Sequence, residues 1–418
     1  MPDGAETRRH EDDDERHSRA CNQALGGAVP AVRNALGAAV RHEWALDPDF
    51  LTVNHGSFGA TPLAVLAVQD RWRKQMEAQP TRFFSVEMRA AVRQAAAGLA
   101  RFVGTDAADV VFVPNATTGC NAVLQSLRFQ PDDEILYASH IYNAVRNAVI
   151  HVAGGARAKR VVAEIPWPQP DKAAILRNLE QAITKRTKLA VLDHITSSSG
   201  LVLPIAEMIE LCHAAGVPVL VDGAHGPGQV PLDLPALEAD WYVGNCHKWL
   251  SAPKGSGFLY ARADRRDGLH PGTISHGYGD GFTAEFDWPG TIDPTPYLAV
   301  PAAIEFFEKL GGTALMERNR RLVAEAARLV AKRLGTEVGG PFEMTGSMAM
   351  VRLPLDLKPE VEESNKVRQA LRAAGADSPV HPVGDGLWLR LSAYAYNDMD
   401  DYEKLATLLP GVLSGLRN

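Results

Sequence analysis

The sequence predicts an α/β protein with a large domain built on a mostly parallel sheet and a smaller α+β domain at its C-terminal end. Between residues 110 and 223, short apolar runs alternate with segments of helical length, which is the pattern of βαβ units. After residue 293, two strand-like segments stand among longer helical ones. These patterns divide the chain into a disordered tail with an N-terminal arm, a large domain and a small domain, over residues 1–44, 45–292 and 293–418.

The N-terminal region is not expected to be a secretory signal, and its acidic residues disfavour a transit peptide. Its first 19 residues mix acidic and basic side chains without an apolar segment, so we expect a disordered tail. An alanine-rich segment from Ala31 to Ala45 follows as a candidate helical arm. The four cysteines of the chain lie far apart and form no CxxC motif, which argues against a zinc site and a disulfide framework. A reducing, cytoplasmic location is therefore expected.

Composition argues against two classes of partner. The chain of 418 residues has a net charge of -7, which gives no sign of nucleic-acid or acidic-membrane binding. No apolar run approaches the roughly 20 residues that a membrane helix needs. Because 46% of the residues are hydrophobic and 22% are charged, we expect an ordinary soluble protein with a large core.

Two segments before the first predicted strand are candidate parts of a substrate pocket. Residues 51–62, LTVNHGSFGATP, contain two closely spaced glycines, so we expect a loop whose backbone can approach a ligand, or a turn that caps the next helix. A helix is predicted over residues 63–76. It leads into QPTRFF, where Arg82, Phe83 and Phe84 contribute either to the pocket or to the core.

The parallel sheet is predicted from five apolar runs, and helical segments follow the first four of them. A sixth run, GSGFLYAR, is expected to return to the same sheet. The five runs are VVFVPN, EILYASH, KRVVAEI, KLAVLDH and VPVLVDG, and the helices begin at Thr117, Asn143, Lys172 and Ile205.

Polar side chains follow two of the predicted strands at the point where each strand ends. Asp222 and His225 come after one strand, and Asn245, His247 and Lys248 come after the next strand along the chain. Open α/β sheets build their sites from such strand ends. The sequence therefore predicts that these five side chains lie in one site.

The pair of Lys248 and Asp222 has the chemistry that pyridoxal phosphate needs. A lysine in an apolar setting can lose its proton near neutral pH and attack an aldehyde, forming a Schiff base. A carboxylate one strand away can hold the proton of a pyridinium nitrogen, so that the ring draws electrons from Cα of a bound amino acid. Taken singly, the aspartate is typical of a turn or cap and the lysine of a solvated surface charge.

Other kinds of site fit this sequence less well. Asp222 and His225 are possible metal ligands, but a third ligand at compatible spacing is missing, so no metal is expected. The chain contains no GxGxxG motif, which weighs against a dinucleotide site. It contains no GxSxG motif either, which weighs against an α/β-hydrolase.

The order of these residues resembles a known family. Asp-Gly-Ala-His, followed by Gly-Asn-Cys-His-Lys-Trp and then by Pro253, Lys254 and Gly255, resembles the class V aminotransferase branch of the pyridoxal-phosphate fold type I enzymes. Within that branch the chain is most similar to the isopenicillin N epimerase group and to cysteine-conjugate C–S lyases. The resemblance spans about residues 45–416. It implies pyridoxal 5'-phosphate as cofactor, a mostly parallel seven-stranded sheet, and a homodimer whose active sites are shared across the interface.

The resemblance also implies how the cofactor phosphate is bound. Ala116 and Thr117 open a predicted helix, and helix-terminal amides, a threonine hydroxyl and the helix dipole suit a phosphate. Asn245 and His247 would close this site from the lysine loop. In the family, the residue matching Thr291 crosses the dimer interface to the partner's phosphate, from a glycine-rich loop over residues 271–291 that we expect to be a mobile lid.

For the cofactor ring, the resemblance implies a stacked aromatic side chain, which is either His140 or Tyr142. Either one could also shuttle a proton. The hydroxyls of Thr196 and Ser197 are placed to reach the phenolic oxygen of the cofactor or the substrate, with His225 as the preferred partner of that oxygen.

Substrate contacts are expected from both ends of the chain. The resemblance assigns Asn54, His55 and Gly56 to a substrate loop. Arg390 lies inside an apolar predicted strand, where an unpaired charge would be costly, so it needs an anion. The matching arginine of the family binds the α-carboxylate of the substrate through two parallel hydrogen bonds. A structural salt bridge is the alternative.

These residues predict an enzyme that acts at Cα of an amino acid, with Lys248 as the base that removes the Cα proton. We expect C–S bond cleavage by β-elimination from an S-substituted cysteine in a natural-product pathway. The motifs are common to three alternatives, which are an isopenicillin N epimerase-type reaction, decarboxylation coupled to oxidative deamination, and transamination.

Two further interpretations are disfavoured. Cysteine desulfurases of this class use a nucleophilic cysteine shortly before the carboxylate-binding arginine, and no cysteine lies between Gly346 and Arg390. A regulatory or binding module without activity is disfavoured because Lys248 and Asp222 are both present and the short acidic N-terminal segment is no helix-turn-helix.

Overall fold

The computed structural model describes residues 36–416 of the chain. The predicted disordered tail and the first part of the predicted helical arm lie outside the described residues. The described end of the arm is a short 3₁₀ helix, Gly37–Glu43, and not an α-helix.

A seven-stranded sheet forms the centre of the molecule. Its strand order is β2-β8-β7-β6-β5-β3-β4, with β8 antiparallel to both of its neighbours and every other pair parallel, which confirms the predicted sheet. The strands of the described chain are β1 Leu51–Thr52, β2 Val110–Val113, β3 Glu134–Ala138, β4 Lys159–Ala163, β5 Thr187–Asp193, β6 Val219–Gly223, β7 Trp241–Asn245, β8 Gly257–Ala261, β9 Val338–Gly339, β10 Met348–Arg352, β11 Ala376–Asp377, β12 Val380–Val383 and β13 Gly386–Ser392.

Helices cover both faces of this sheet, because the strands are apolar on both sides and are buried along their whole length at the centre. The helices of ten or more residues are Leu63–Ala78, Met88–Phe102, Ala116–Ser126, Asn143–Ala156, Lys172–Ala182, Ile205–Ala214, Val300–Lys309, Thr313–Leu334, Val361–Ala373 and Met399–Ser414. Within residues 36–416, no helix is long and apolar enough to cross a membrane.

The C-terminal part of the chain forms a second, antiparallel sheet with the order β12-β13-β10-β9. Its central strand β13 carries Arg390, and the helices Thr313–Leu334 and Met399–Ser414 pack against it through an apolar cluster. The two-residue strand β1 pairs in parallel with β11, which ties the N-terminal segment to this region.

Three segments without a predicted helix contain helices. The segment after β1 includes the short helix His55–Phe58, and residues 80–87 form a continuous helical turn that includes five residues in π geometry. The glycine-rich segment predicted as a mobile lid contains the helix Phe282–Asp287, whose Phe282 and Phe286 rings are buried against the sheet.

Candidate active site

A cavity of about 490 Å³ opens at the carboxyl ends of β5, β6 and β7. Parallel strands end at the same edge of a sheet, so the polar residues that follow them meet there. The side chains around this cavity are Ser57, Phe58, Asn115, Ala116, Thr117, Thr118, Tyr142, Asp193, Ile195, Ser197, Asp222, Ala224, His225, Asn245, His247 and Lys248.

Lys248 presents its amine to this cavity beside the imidazole of His225. The distance from Lys248 Nζ to His225 Nε2 is 3.0 Å. Burial lowers the pKa of Lys248 to about 8, against an opposing effect of the Asp222 carboxylate. About a tenth of this amine is therefore uncharged at pH 7, far more than for an ordinary lysine, and this fraction rises as the pH increases through 8.

Trp249 determines which nitrogen of His225 carries the proton. The indole Nε1 of Trp249 donates to His225 Nδ1 over 3.1 Å, and an indole N–H can only donate. A neutral His225 therefore holds its own proton on Nε2 and donates it to Lys248 Nζ. Burial depresses the pKa of His225 well below its usual value, so the neutral ring is the stable form. The contact between the two side chains thus favours a neutral, nucleophilic lysine.

We expect Trp249→Phe to raise the pKa of Lys248 by on the order of one unit, since one hydrogen bond is worth about 1 kcal/mol. Without the indole donor, His225 can carry its proton on Nδ1, so that Nε2 accepts a hydrogen bond from a charged lysine and stabilises the ammonium form. The rate at which the apoprotein binds pyridoxal phosphate covalently, followed by visible absorbance against pH, should show its inflection at higher pH. Trp241→Phe is the matched control, because that indole donates to the carbonyl of Arg265 instead. An unchanged inflection in Trp249→Phe would contradict the tautomer assignment.

Asp222 is a buried carboxylate whose protein partners do not satisfy it fully. Its Oδ1 accepts a hydrogen bond of 3.0 Å from the amide of Ala224. Burial raises its pKa, while the Ala224 amide and the charge of Lys248 act in the opposite direction. A buried carboxylate in the wall of a cavity needs a proton donor or a cation there, and a protonated pyridine nitrogen provides both. Asp222 and Lys248 therefore fit a pyridoxal-type ring.

The helix Ala116–Ser126 begins at the cavity. Asn115 caps this helix by accepting from the amide of Thr118 over 2.9 Å, and Thr117 also lines the cavity. The amide of Ala116 donates to Asn245 Oδ1 over 2.9 Å, so Asn245 binds the helix terminus directly. The start of a helix and its first-turn hydroxyls suit a phosphate, and the predicted residues are brought together here.

His247 lies at the same end of the cavity. Its Nδ1 contacts the carbonyl oxygen of Ser256 over 2.9 Å, which fixes the ring and leaves Nε2 for a ligand. Burial lowers its pKa to about 4. At neutral pH this ring is uncharged and carries its proton on Nδ1, since a carbonyl oxygen only accepts. Donation from Nε2 to a phosphate would need a second proton on the ring, which the negative charge of a bound phosphate would favour.

The two candidate stacking residues are placed differently. Tyr142 lines the cavity with 43% of its surface exposed. His140 is buried outside the cavity, where its Nδ1 contacts Ser199 Oγ over 2.8 Å and its ring packs edge-on against Trp167. The geometry thus favours Tyr142 for stacking, and the prediction of His140 as a cofactor contact is wrong because its ring is held in a separate polar network.

Ser197 and Thr196 also differ. Ser197 lines the cavity, and its carbonyl oxygen accepts from Arg390 Nη1 over 2.6 Å. Thr196 is fully buried, and its hydroxyl contacts Ser199 Oγ and the amide of Leu201. The prediction that Thr196 reaches the cofactor is therefore wrong, because its hydroxyl stabilises the turn that carries Ser197.

Arg390 is buried and bound only by neutral acceptors among residues 36–416. Besides Ser197, it donates from Nη2 to Ser57 Oγ over 3.1 Å, and Asn54 Oδ1 lies at 3.5 Å. No carboxylate of the described chain forms an ion pair with it, which contradicts the alternative of a structural salt bridge. A buried guanidinium without a counter-ion is a binding site for an anion, and this one lies next to the cavity.

The N-terminal segment forms part of the wall through residues that the sequence did not single out. Ser57 and Phe58 line the cavity. Asn54 lies behind Ser57. Its Oδ1 accepts a hydrogen bond of 2.7 Å from the Ser57 hydroxyl, and the side-chain amide of Asn54 donates to the Asp377 carboxylate. Asn54 is thus a support of the Arg390 contact and does not line the cavity.

His55 supports the lysine loop from behind. Its Nε2 contacts the carbonyl oxygen of Lys248 and its Nδ1 contacts the hydroxyl of Tyr396, both over 2.9 Å, while Tyr394 stacks on the ring. The prediction of His55 as a substrate contact is wrong because both ring nitrogens have protein partners. Gly56 is also buried, where an added Cβ would lie 2.9 Å from the sulfur of Met348.

Three other predicted residues lie outside the cavity. Arg82 is exposed and pairs with Glu87, and Phe83 is a core residue with 1% of its surface exposed. Neither lines the cavity of its own chain, because the helical turn that holds them directs Phe83 into the core and leaves Arg82 at the surface, so a substrate contact of Arg82 stays a prediction. Thr291 is exposed and does not line the cavity of its own chain, so its contact with a partner's cofactor stays a prediction.

A family model and named relatives match most of this chain. A model of the family described as aminotransferase class V matches residues 59–405. Isopenicillin N epimerase of Streptomyces clavuligerus is 34% identical over 388 residues, which cover 88% of this chain and 96% of that protein. L-cysteine desulfhydrase of Arabidopsis thaliana is 30% identical over 389 residues, which cover 84% of this chain and 86% of that protein.

Solved structures share the fold. The cystine C–S lyase C-DES, in complex with its product cysteine persulfide, matches with a TM-score of 0.74 and 20% identity over 87% of this chain and 97% of that chain. A cysteine desulfurase from Thermococcus onnurineus matches with a TM-score of 0.76 and 20% identity over 91% of this chain and 99% of that chain. At this identity the likeness concerns the fold alone.

Proposed function

The chain belongs to the class V aminotransferase family of pyridoxal-phosphate fold type I enzymes, and we propose that it is a lyase that cleaves the C–S bond of an S-substituted cysteine. Pyridoxal phosphate is the cofactor of this family. One observation carries the proposal of Cα chemistry: the amine of Lys248, whose pKa burial lowers to about 8, and the buried carboxylate of Asp222 face one cavity, next to a buried Arg390 that has no counter-ion in the described chain.

Each end of the cavity has a distinct role in holding the cofactor. Asn245, His247 and Thr117 would hold the phosphate, Asp222 the ring nitrogen and Tyr142 the face of the ring. When bound, pyridoxal phosphate supplies an electron-withdrawing ring that acidifies Cα of an attached amino acid. All other parts of the reaction come from protein side chains.

Arg390 orients the substrate. Its guanidinium is fixed by the carbonyl of Ser197 and the hydroxyl of Ser57, so it presents a preformed site for a carboxylate. Holding the α-carboxylate fixes the rotation about Cα, which determines the bond that is cleaved. The amine of Lys248, uncharged beside His225, then takes the Cα proton, and loss of the β-sulfur group follows.

The distribution of cysteines supports elimination over persulfide transfer. The segment between Gly346 and Arg390 contains no cysteine that could act as a nucleophile. Cys246 is buried beside the lysine loop, and burial raises its pKa well above the ordinary value. A buried thiol of this kind behaves as a small packing residue.

Epimerisation is the second candidate, and Tyr142 is the observation that favours it. Inversion at Cα needs a proton donor besides Lys248, and the exposed hydroxyl of Tyr142 is a second acid in the same cavity. The relative from Streptomyces clavuligerus is named an isopenicillin N epimerase. Decarboxylation coupled to oxidative deamination and transamination stay further alternatives.

Incubation with S-substituted L-cysteines separates these reactions. Elimination with addition of one water yields one pyruvate, one ammonia and one thiol for each substrate consumed. In deuterated water, we expect pyruvate and thiol to appear in equal amounts, and Lys248→Ala to produce neither. Exchange of the Cα hydrogen without pyruvate would refute the lyase, and appearance of the D-amino acid would favour the epimerase.

Several properties stay predictions that we propose alongside the reaction. They are a homodimer with shared sites, a cytoplasmic location, a natural-product pathway, and division of the chain near residue 292. Sedimentation of the full-length protein would test the first of these directly.

A further inference from the structure

Asp193 is a second buried carboxylate in the wall of the same cavity, and the reaction outlined above does not use it. It ends β5, where it lies in register with Asp222 at the end of β6. Adjacent strands are about 4.8 Å apart and in-register residues point to the same face, so the two carboxyl groups are side by side. Only 1% of the Asp193 surface is exposed.

The hydrogen bonds of the two carboxyl groups are unequal. Asp222 has the amide of Ala224 as a donor and lies in the field of the Lys248 amine. Asp193 accepts from the backbone amide of Tyr142, but its Oδ2 has no hydrogen-bond partner in the described chain although it is fully buried. This oxygen belongs to a residue that lines the cavity. A buried carboxylate oxygen without a hydrogen-bond partner needs either a proton of its own or a donor from a bound ligand.

We propose that Asp193 is a positioning residue of the cofactor site that stays protonated beside an ionised Asp222, so that the pair carries one negative charge toward one pyridinium. The proposal rests on the proposed function, because it takes Asp222 as the partner of the ring nitrogen. Asp193 then contributes a neutral hydrogen-bonding group to the ring site and no second charge.

Electrostatics explain why the proton resides on Asp193. Two buried carboxylates this close cannot both ionise, as in paired catalytic carboxyl groups. Burial, and then the charge of Asp222, raises the pKa of Asp193 well above its usual value. The groups that face Asp193 from other elements are Asp222 on β6 and the neutral thiol of Cys120 on the helix Ala116–Ser126, and neither offers a positive charge.

The test compares two isosteric variants, Asp193→Asn and Asp222→Asn, in the dissociation constant for pyridoxal phosphate. Asp193→Asn puts a neutral amide in place of a neutral acid, so it should change this constant by less than about 3-fold, because the amide oxygen still accepts from the backbone of Tyr142. Asp222→Asn removes the ionised partner of the ring nitrogen, so it should weaken the binding of pyridoxal phosphate by about 100-fold or more. Asp193→Ser is a second neutral variant, which replaces Asp193→Asn in this comparison if Asp193→Asn does not fold.

Infrared spectroscopy gives a readout that a merely structural role would not change. With carbon-13 aspartate, the wild-type protein at pH 7 should show a protonated carboxyl stretch that is missing from Asp193→Asn. Equal weakening of cofactor binding in Asp193→Asn and Asp222→Asn, or no difference in this stretch, would overturn the proposal. Wild-type binding by Asp222→Asn would instead refute the proposed role of Asp222, and with it the proposed function.

Discussion

Replacement of Lys248 by alanine is expected to abolish covalent binding of the cofactor and to lower turnover by on the order of 10³-fold or more, because the same amine is the nucleophile and the base. The visible absorbance of the protein–cofactor linkage should disappear. Mass spectrometry after borohydride reduction should find no modified lysine. The helix-terminal phosphate site is untouched, so non-covalent binding of pyridoxal phosphate should persist.

Lys254→Ala is the matched control for this variant. Burial also lowers the pKa of Lys254 to about 8, so it is the other amine of the lysine loop with an altered acidity. Its Nζ donates to Thr61, however, and it does not line the cavity. We expect Lys254→Ala to retain the absorbance band. If the band survived in Lys248→Ala and disappeared in Lys254→Ala, the assignment of the nucleophile would have to be abandoned.

Arg390→Lys is expected to lower kcat/KM by about 100-fold, mainly through KM, because an ammonium group cannot form two parallel hydrogen bonds to a carboxylate. The lysine also loses the contacts to Ser197 and Ser57 that orient the guanidinium. Steady-state kinetics with an S-substituted cysteine measures this effect. The same substrate without its carboxylate should show no difference between variant and wild type.

Arg352→Lys provides the control for the loss of a guanidinium. Arg352 lies on β10, in the same sheet, and its pairs with Glu337 and Asp385 are exposed to solvent. Exposed pairs contribute about 1 kcal/mol or less, so activity should stay close to wild type. Equal losses in the two variants would show that Arg390 is a structural residue and not a carboxylate site.

The centre of the site was predictable from sequence because local rules determine it. Buried apolar strands followed by polar residues place Asp222, His225 and Lys248 at one sheet edge whatever the rest of the chain does. The alternation of strands and helices likewise fixed the parallel sheet. Arg390 was identifiable because a charge within an apolar strand requires a partner.

Residues at the periphery of the site depend on packing that local patterns do not encode. His55 and Phe83 have the chemistry of ligand contacts, yet one supports the lysine loop and the other fills the core. Thr196 and Ser197 are adjacent hydroxyls, and only the turn geometry decides which one faces the cavity. Asp193 was overlooked although it ends a strand, because its proximity to Asp222 follows from strand order rather than sequence spacing.

Segments that are distant in sequence support the lysine loop. His55 contacts the backbone of Lys248 and is itself held by Tyr396, while Ser251 donates to the hydroxyl of Tyr394. Ser251 and Tyr394 are 143 residues apart in sequence. The loop that carries Lys248 therefore takes part of its support from the docked C-terminal region, and local unfolding of that region would loosen the lysine as well.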